Sequence, residues 1–346
     1  MPTPTITVEA AAGPARAGRA LGRLLAGLSG CVASLALASP LPERLSDTGL
    51  FETGTTKVAS EHLAFSPQYP LWTDGARKRR WISLPPGTQI DASDPDAWEF
   101  PPGTRLWKEF AYERPVETRY IERLADGSWR YATYVWTEDG RDAVLASDRG
   151  QRLEQVAGSP DGRYEVPSRF DCQGCHEAAA TRVLGFSALQ LSHDREPTPA
   201  RTGSDEIDLR ALIERELLRN APTLWTDQPP RIAGSDEERA VLGYLHGNCS
   251  HCHNRVGPMA SLELYLDQRS DSDAASVLAS LIEPPARTRA ADLDRRLVPG
   301  NSKHSQLFAR MASRNPYIQM PPLGTRHPDS SALVLIQRWI DHLPAH

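Results

Sequence analysis

The chain has 346 residues, with 39 Lys and Arg against 44 Asp and Glu, a formal net charge of −5 and 40% hydrophobic residues. That length accommodates two or three domains of about 100 to 200 residues each, and no apolar run reaches the roughly 20 residues that span a bilayer. The acidic balance argues against nucleic acid as a partner and for a basic protein partner where docking is electrostatic.

Residues 1–38 carry the three parts of a secretory signal: Arg16, Arg19 and Arg23, an apolar stretch from Leu24 to Leu35, and Ala36-Leu37-Ala38 as a cleavage site. Export follows, with a soluble periplasmic or secreted product as the expectation. A second cut competes, because Leu28-Ser29-Gly30-Cys31 is similar to a lipobox and cleavage there would leave Cys31 as a lipid anchor on the membrane. Against it, only Leu24 to Gly30 would serve as the apolar core, and the segment after Cys31 stays apolar where a lipoprotein tether is polar. Removing residues 1–38 leaves 36 basic and 43 acidic residues, a net charge of −7.

Between Leu45 and Val166 the pattern is β-like. Runs at Arg80 to Leu84 and Thr104 to Phe110 flank Pro-Pro-Gly turns. Glu117 to Leu124 and Trp129 to Trp136 flank Ala125-Asp126-Gly127, which predicts a hairpin. Short strands between Pro/Gly turns predict an antiparallel β-rich domain over 45–166, a sandwich or a barrel. Six of the eight tryptophans lie between Trp72 and Trp136, where strand tryptophan is expected in the core, with stacking on a flat ligand as the alternative. The run Arg77-Lys78-Arg79-Arg80 suggests a solvated turn, or a pairing with acidic groups of a cofactor.

Residues 167–233 contain Cys172-Gln173-Gly174-Cys175-His176, followed by an apolar segment from Leu184 to Leu191, a polar stretch from Asp194 to Glu206, and a predicted helix from Ile207 to Arg219. Residues 234–346 have the clearest helical grammar. Ser235 and Glu238 predict a capping box for a helix that runs into Cys249-Ser250-His251-Cys252-His253. A shorter helix is expected over Ser302 to Arg314, and a terminal one from Asp329 or Ser330 to Leu343. The first and last of these are expected to cross, with Gly243 admitting Trp339.

Each Cys-x-x-Cys-His run offers two thiols for thioether bonds to haem vinyl groups and an adjoining imidazole for the iron. Zinc is the alternative, but ribbon sites separate their pairs by roughly 15 to 20 residues, and Cys175 and Cys249 are 74 apart. Neither zinc nor a redox dithiol accounts for a histidine directly after both pairs. Two covalent haems c are therefore expected, on Cys172 and Cys175 with His176, and on Cys249 and Cys252 with His253. Met320, 67 residues after His253 and followed by two prolines, is the expected second ligand of the C-terminal iron. Met259 is too close to His253 in sequence, and Met311 lies on a predicted helix face. No methionine lies between His176 and Met259, so His193 is the candidate sixth ligand for the first iron, ahead of His246, with an exposed loop histidine as the plain alternative.

From Gly234 to Leu343 the order of helix, haem motif, Met-Pro loop and terminal helix resembles a class I cytochrome c. The whole span from Leu45 resembles a family of secreted bacterial dihaem c-type cytochromes with a β-rich N-terminal region. The wider resemblance rests on Leu45-Ser46-Asp47-Thr48-Gly49-Leu50-Phe51, Pro70-Leu71-Trp72-Thr73-Asp74-Gly75-Ala76, Phe100-Pro101-Pro102-Gly103-Thr104, Val116-Glu117-Thr118-Arg119 and both haem motifs. It implies an α+β multidomain chain, with the β-rich domain followed by a mostly helical dihaem region, and haem binding with electron transfer. The expectation is an electron carrier rather than an enzyme. Alternatives are a dihaem peroxidase, or a module in which haem reports ligand capture by the β-rich domain. The 77 residues between His176 and His253 are short for the peroxidase arrangement, which has a full cytochrome domain between its motifs and lacks a long leading β region.

Overall fold

The computed structural model describes residues 40–195, 206–270, 274–282, 284–290 and 293–344. The export signal with Cys31, and most of the polar stretch before Glu206, lie outside them. Residues from Pro40 onward pack as one unit. Among the described residues no helix is long and apolar enough to cross a membrane.

The architecture is mixed α and β around one antiparallel sheet. Strands β1 (Leu63–Ala64), β2 (Arg77–Ser83), β4 (Arg105–Ala111), β5 (Pro115–Arg123), β6 (Trp129–Trp136) and β7 (Ala143–Leu145) lie side by side in that order. Between β2 and β4, β3 (Ile90–Asp91) leaves the sheet and pairs in parallel with β10 (Leu218–Arg219). The expected hairpin is present, with Arg123 opposite Trp129 and Gly127 in the left-handed region that the turn requires. The order is open, ending at β1 and β7, so the sheet is not a closed barrel, and among the described residues the remaining strands pair only two by two. The Arg77–Arg80 run is the first half of β2 rather than a solvated turn.

Both faces of this layer are covered, and alternation along each strand decides what each face meets. Trp81, Trp107, Tyr120, Ala132 and Tyr134 pack with Leu45 and Leu50 from the N-terminal segment. On the other face Ile82, Leu106 and Ile121 meet Phe65, Val183, Phe186 and Leu191. Trp81 and Trp107 are core, as strand tryptophans commonly are, and Trp98 is buried from the loop between β3 and β4. A second hairpin, β8 (Gln151–Glu154) with β9 (Arg163–Val166), leads into α1 (Arg169–His176).

Helix α2 (Leu209–Glu214) is shorter than the apolar pattern suggested, because Glu216 adopts a left-handed φ of 53° and the chain then extends into β10. The predicted face of Leu209, Leu212, Ile213 and Leu217 is satisfied without a continuous helix, Leu209 and Leu212 buried in one core and Ile213 and Leu217 packed against it. Helix α3 (Asp236–Cys249) begins with the expected Ser235/Glu238 capping box. After α4 (Ala274–Ile282) and the paired strands β11 (Pro285–Ala290) and β12 (Leu293–Arg295), the expected 302–314 helix is split. A 3-10 turn over Ser302–His304 ends at extended Ser305, and α5 (Gln306–Ala312) follows. Helix α6 (Ser330–His342) is capped by Asp329, whose side chain accepts from the Ala332 N–H.

Helices α3 and α6 pack together through Val241, Leu242, Leu245, Ile336, Trp339 and Ile340. Gly243 does not make room for Trp339. A Cβ at Gly243 would fall inside the ring of Tyr69, and one at Gly247 would strike the Tyr69 carbonyl. The strand-side segment 69–72 is therefore pressed into α3, and Asn248 fixes it there. The Asn248 side-chain carbonyl accepts from Trp72 N–H at 2.7 Å, and its amide donates to the carbonyls of Pro70 and Tyr244. Alanine in mid-helix ordinarily stabilises by about 1 kcal/mol over glycine. Here overpacking wins: Gly243→Ala is expected to lose roughly 1 to 3 kcal/mol. Thermal unfolding checks it, and a variant as stable as the parent would show that the close approach to Tyr69 is not made.

Candidate functional site

Two cavities, of about 650 and 200 Å³, contain the residues singled out in the sequence. The larger is lined by Cys172, Cys175 and His176, and the smaller by Cys249, Cys252, His253 and Met320. Cys175, His251 and Trp72 line both. Residues 77 positions apart in sequence thus border adjoining spaces.

Local capping places the first motif. Ser168 accepts from the Asp171 N–H at 3.1 Å, and the Asp171 carboxylate accepts from the Ser168 N–H at 2.8 Å, a capping box that starts α1. The Ser-x-x-Asp pattern was available in the sequence as a helix signal. Helix α1 lies against β6, with the His176 ring 5.5 Å from that of Tyr131. Beyond it, Asn254 ties the two motifs by donating to the Ala178 carbonyl at 3.1 Å. Gly257 admits the same carbonyl where any side chain would collide.

The Nδ1 of His176 lies 2.6 Å from the Arg182 carbonyl oxygen. A carbonyl only accepts, so Nδ1 carries the proton and the Nε2 lone pair is free for a metal. Burial, the largest influence, lowers the imidazole to about 4 and keeps it neutral, the form that ligates. His253 is also lowered, first by burial and then by Arg296 and Arg310. Its Nδ1 is buried with no hydrogen-bond partner.

All four thiols are free. Burial raises each of them, Cys175 to about 11 and Cys249 to about 12, so they remain protonated thiols. Among the described residues no three His, Cys, Asp or Glu side chains converge to hold a bare metal ion. Each cavity is bordered by both thiols and the adjoining imidazole of one motif, and that donor set fits covalent haem. Cys172, Cys175 and His176 would hold one group, and Cys249, Cys252, His253 and Met320 the other.

Met320 borders the same cavity as His253, in a loop held at both ends. Its N–H donates to the Arg310 carbonyl at 2.9 Å, and Asp74 accepts from the backbone N–H groups of Arg326 and His327 at 2.9 to 3.0 Å. Met259 is exposed and lines neither cavity, while Met311 lines the smaller one from α5 but is packed into the helical core.

His193 lines neither cavity, so the structure does not bring it to the first motif. The backbone turns there: Leu191 and Ser192 are buried, and the next two side chains pair elsewhere, Asp194 with Arg231 and Arg195 with the Ser66 carbonyl. His246 does line the first cavity, but its Nδ1 accepts from the Gln268 N–H at 3.1 Å. That bond places the proton of the neutral ring on Nε2, the wrong tautomer for ligation through that atom. Arg80, from the basic run that the sequence offered as a partner for acidic groups of a cofactor, lines this cavity together with Lys108 and Arg119, neither of which the sequence marked as a site residue. Only strand register reveals them as neighbours.

No family model, curated protein or solved structure matches the chain.

Proposed function

We propose that this chain is an exported dihaem c-type cytochrome that passes single electrons between redox partners, of the kind whose β-rich region precedes two haem-binding segments. The observation that carries the reading is the common wall: Cys175 of one motif and His251 of the other border both cavities, so two centres held there adjoin. The His176 tautomer and the pairing of His253 with Met320 in one cavity support the ligand sets. When bound, haem supplies a reversible one-electron iron couple at each position.

The chain's own part is to fix and insulate. Leu262, Leu264, Leu266 and Leu281 border the second cavity and give it an apolar wall. Trp72 stands between the two cavities, its indole N–H donating to the His327 carbonyl at 3.2 Å and its backbone held by Asn248. The sheet serves as the wall of the first cavity, which accounts for a β-rich region in a carrier. The signal-like segment over residues 1–38 supports a mature chain in the periplasm or outside the cell, released or anchored through Cys31.

A spectroelectrochemical titration of the matured protein tests this reading. Two successive one-electron steps are expected, with low-spin spectra at both centres and no turnover of added peroxide. Peroxide turnover would replace the carrier with a peroxidase, and a single step would remove the dihaem assignment.

A further inference from the structure

We propose that Lys108 is the second axial ligand of the first haem iron, acting through a neutral amine. The inference rests on the covalent-haem reading above and names Lys108 in place of His193, which lines neither cavity, and of His246, whose Nδ1 accepts from the Gln268 N–H.

It starts from register. Arg80 on β2, Lys108 on β4 and Arg119 on β5 stand directly opposite one another, and all three line the first cavity. Thr133 on β6, the next residue in the row, is hydrogen-bonded to the side chain of Cys172. The row thus runs out from the attachment segment across the wall of the cavity that holds His176.

Like charges directly opposed across strands repel, and Lys108 has one on each side. The arginines cannot relieve this, because guanidinium does not lose its proton in a protein. Arg80 is only 7% exposed. Arg119 is held in place: its Nε donates to Glu117 at 2.6 Å, and its guanidinium lies 4.2 Å from the centre of the Phe110 ring. Only lysine, whose ammonium gives up its proton readily when buried, can end the conflict. Burial, followed by Arg80, Arg119 and Lys78, pushes it well below its ordinary value, with Glu117 opposing.

The resulting amine has a lone pair that no described residue receives. Among the described residues no hydrogen bond or ion pair involves the Lys108 side chain, and its specific contact is the Phe110 ring, 5.1 Å away. Lys108 lines the first cavity together with His176 and Cys175 of one motif and His251 of the other. No methionine borders this cavity. A nitrogen donor here, against the thioether at the other centre, makes the first centre the lower-potential one.

Magnetic spectra of the matured protein decide it. Wild type is expected to show a low-spin ferric first haem with the near-infrared charge-transfer band of imidazole/amine ligation. Lys108→Leu should convert that haem to high spin and leave the sulfur–iron band of the second centre intact. Lys108→Gln keeps a neutral polar side chain of similar length but offers no amine lone pair, so the same conversion there separates ligation from packing, and it serves if the leucine variant fails to fold. A low-spin first haem unchanged in the variants, or lost in His251→Ala alone, overturns the assignment. Absence of any covalent haem would instead sink the reading on which it rests.

Discussion

Replacing Cys172 and Cys175 by alanine is expected to leave a protein with one covalent haem where the parent has two. Intact mass should fall by one haem, and about half of the haem absorbance should go with it. The physical reason is local. Each thiol is free, protonated through burial and on the cavity side of its segment, and each pair is followed by a histidine bordering the same cavity. The second site has its own attachment residues and its own core, built from α3, α5 and α6, so it does not depend on Cys172. The variant should keep a single redox step, at the more positive potential. Haem that washes out of the denatured parent into acidified solvent, or a parent mass with only one addition, would refute covalent attachment at both sites.

What the sequence disclosed was what is local. The Cys-x-x-Cys-His runs, the Ser235/Glu238 capping box and the Asp-Gly hairpin are each specified within a few residues, and the hairpin and helix appear where they were expected. Parity along a strand was also available in principle, since Lys78 and Arg80 alternate with exposed Arg77 and Arg79. What parity cannot give is register. That Arg80 faces Lys108, and Lys108 faces Arg119, follows from how three strands separated by loops align. Gly243 shows the same limit from the other side. Its small size announced a close approach, but the partner is Tyr69, 174 positions earlier, and not the nearby helix. The helix expected over 207–219 failed for a different reason. Its apolar spacing is real and buried, yet a left-handed turn at Glu216 satisfies the same burial with a shorter helix and a strand.

Met320→Ala is expected to abolish the sulfur-to-iron charge-transfer band at the red end of the oxidised spectrum and to lower the potential of the C-terminal centre. The shift should be on the order of 0.1 to 0.2 V, a modest part of the ~0.8 V range that axial ligands command. A thioether favours reduced iron, and apolar surroundings reinforce that preference by disfavouring the added charge of the oxidised state. The cavity that Met320 shares with His253 has such surroundings, in Leu262, Leu264, Leu266, Leu281 and Leu307. Met311 is the one competitor bordering that space, and its position on α5 makes the choice testable. Met311→Leu keeps the volume and should leave both band and potential unchanged. Met320→His should lower the potential while keeping the iron low-spin, since it replaces the sulfur with a second imidazole. Asp74→Ala removes the acceptor that holds the Arg326 and His327 N–H groups, and it should weaken the band without abolishing it because the loop is loosened with its sulfur retained. If the band survives in Met320→Ala and disappears in Met311→Leu, the thioether comes from α5.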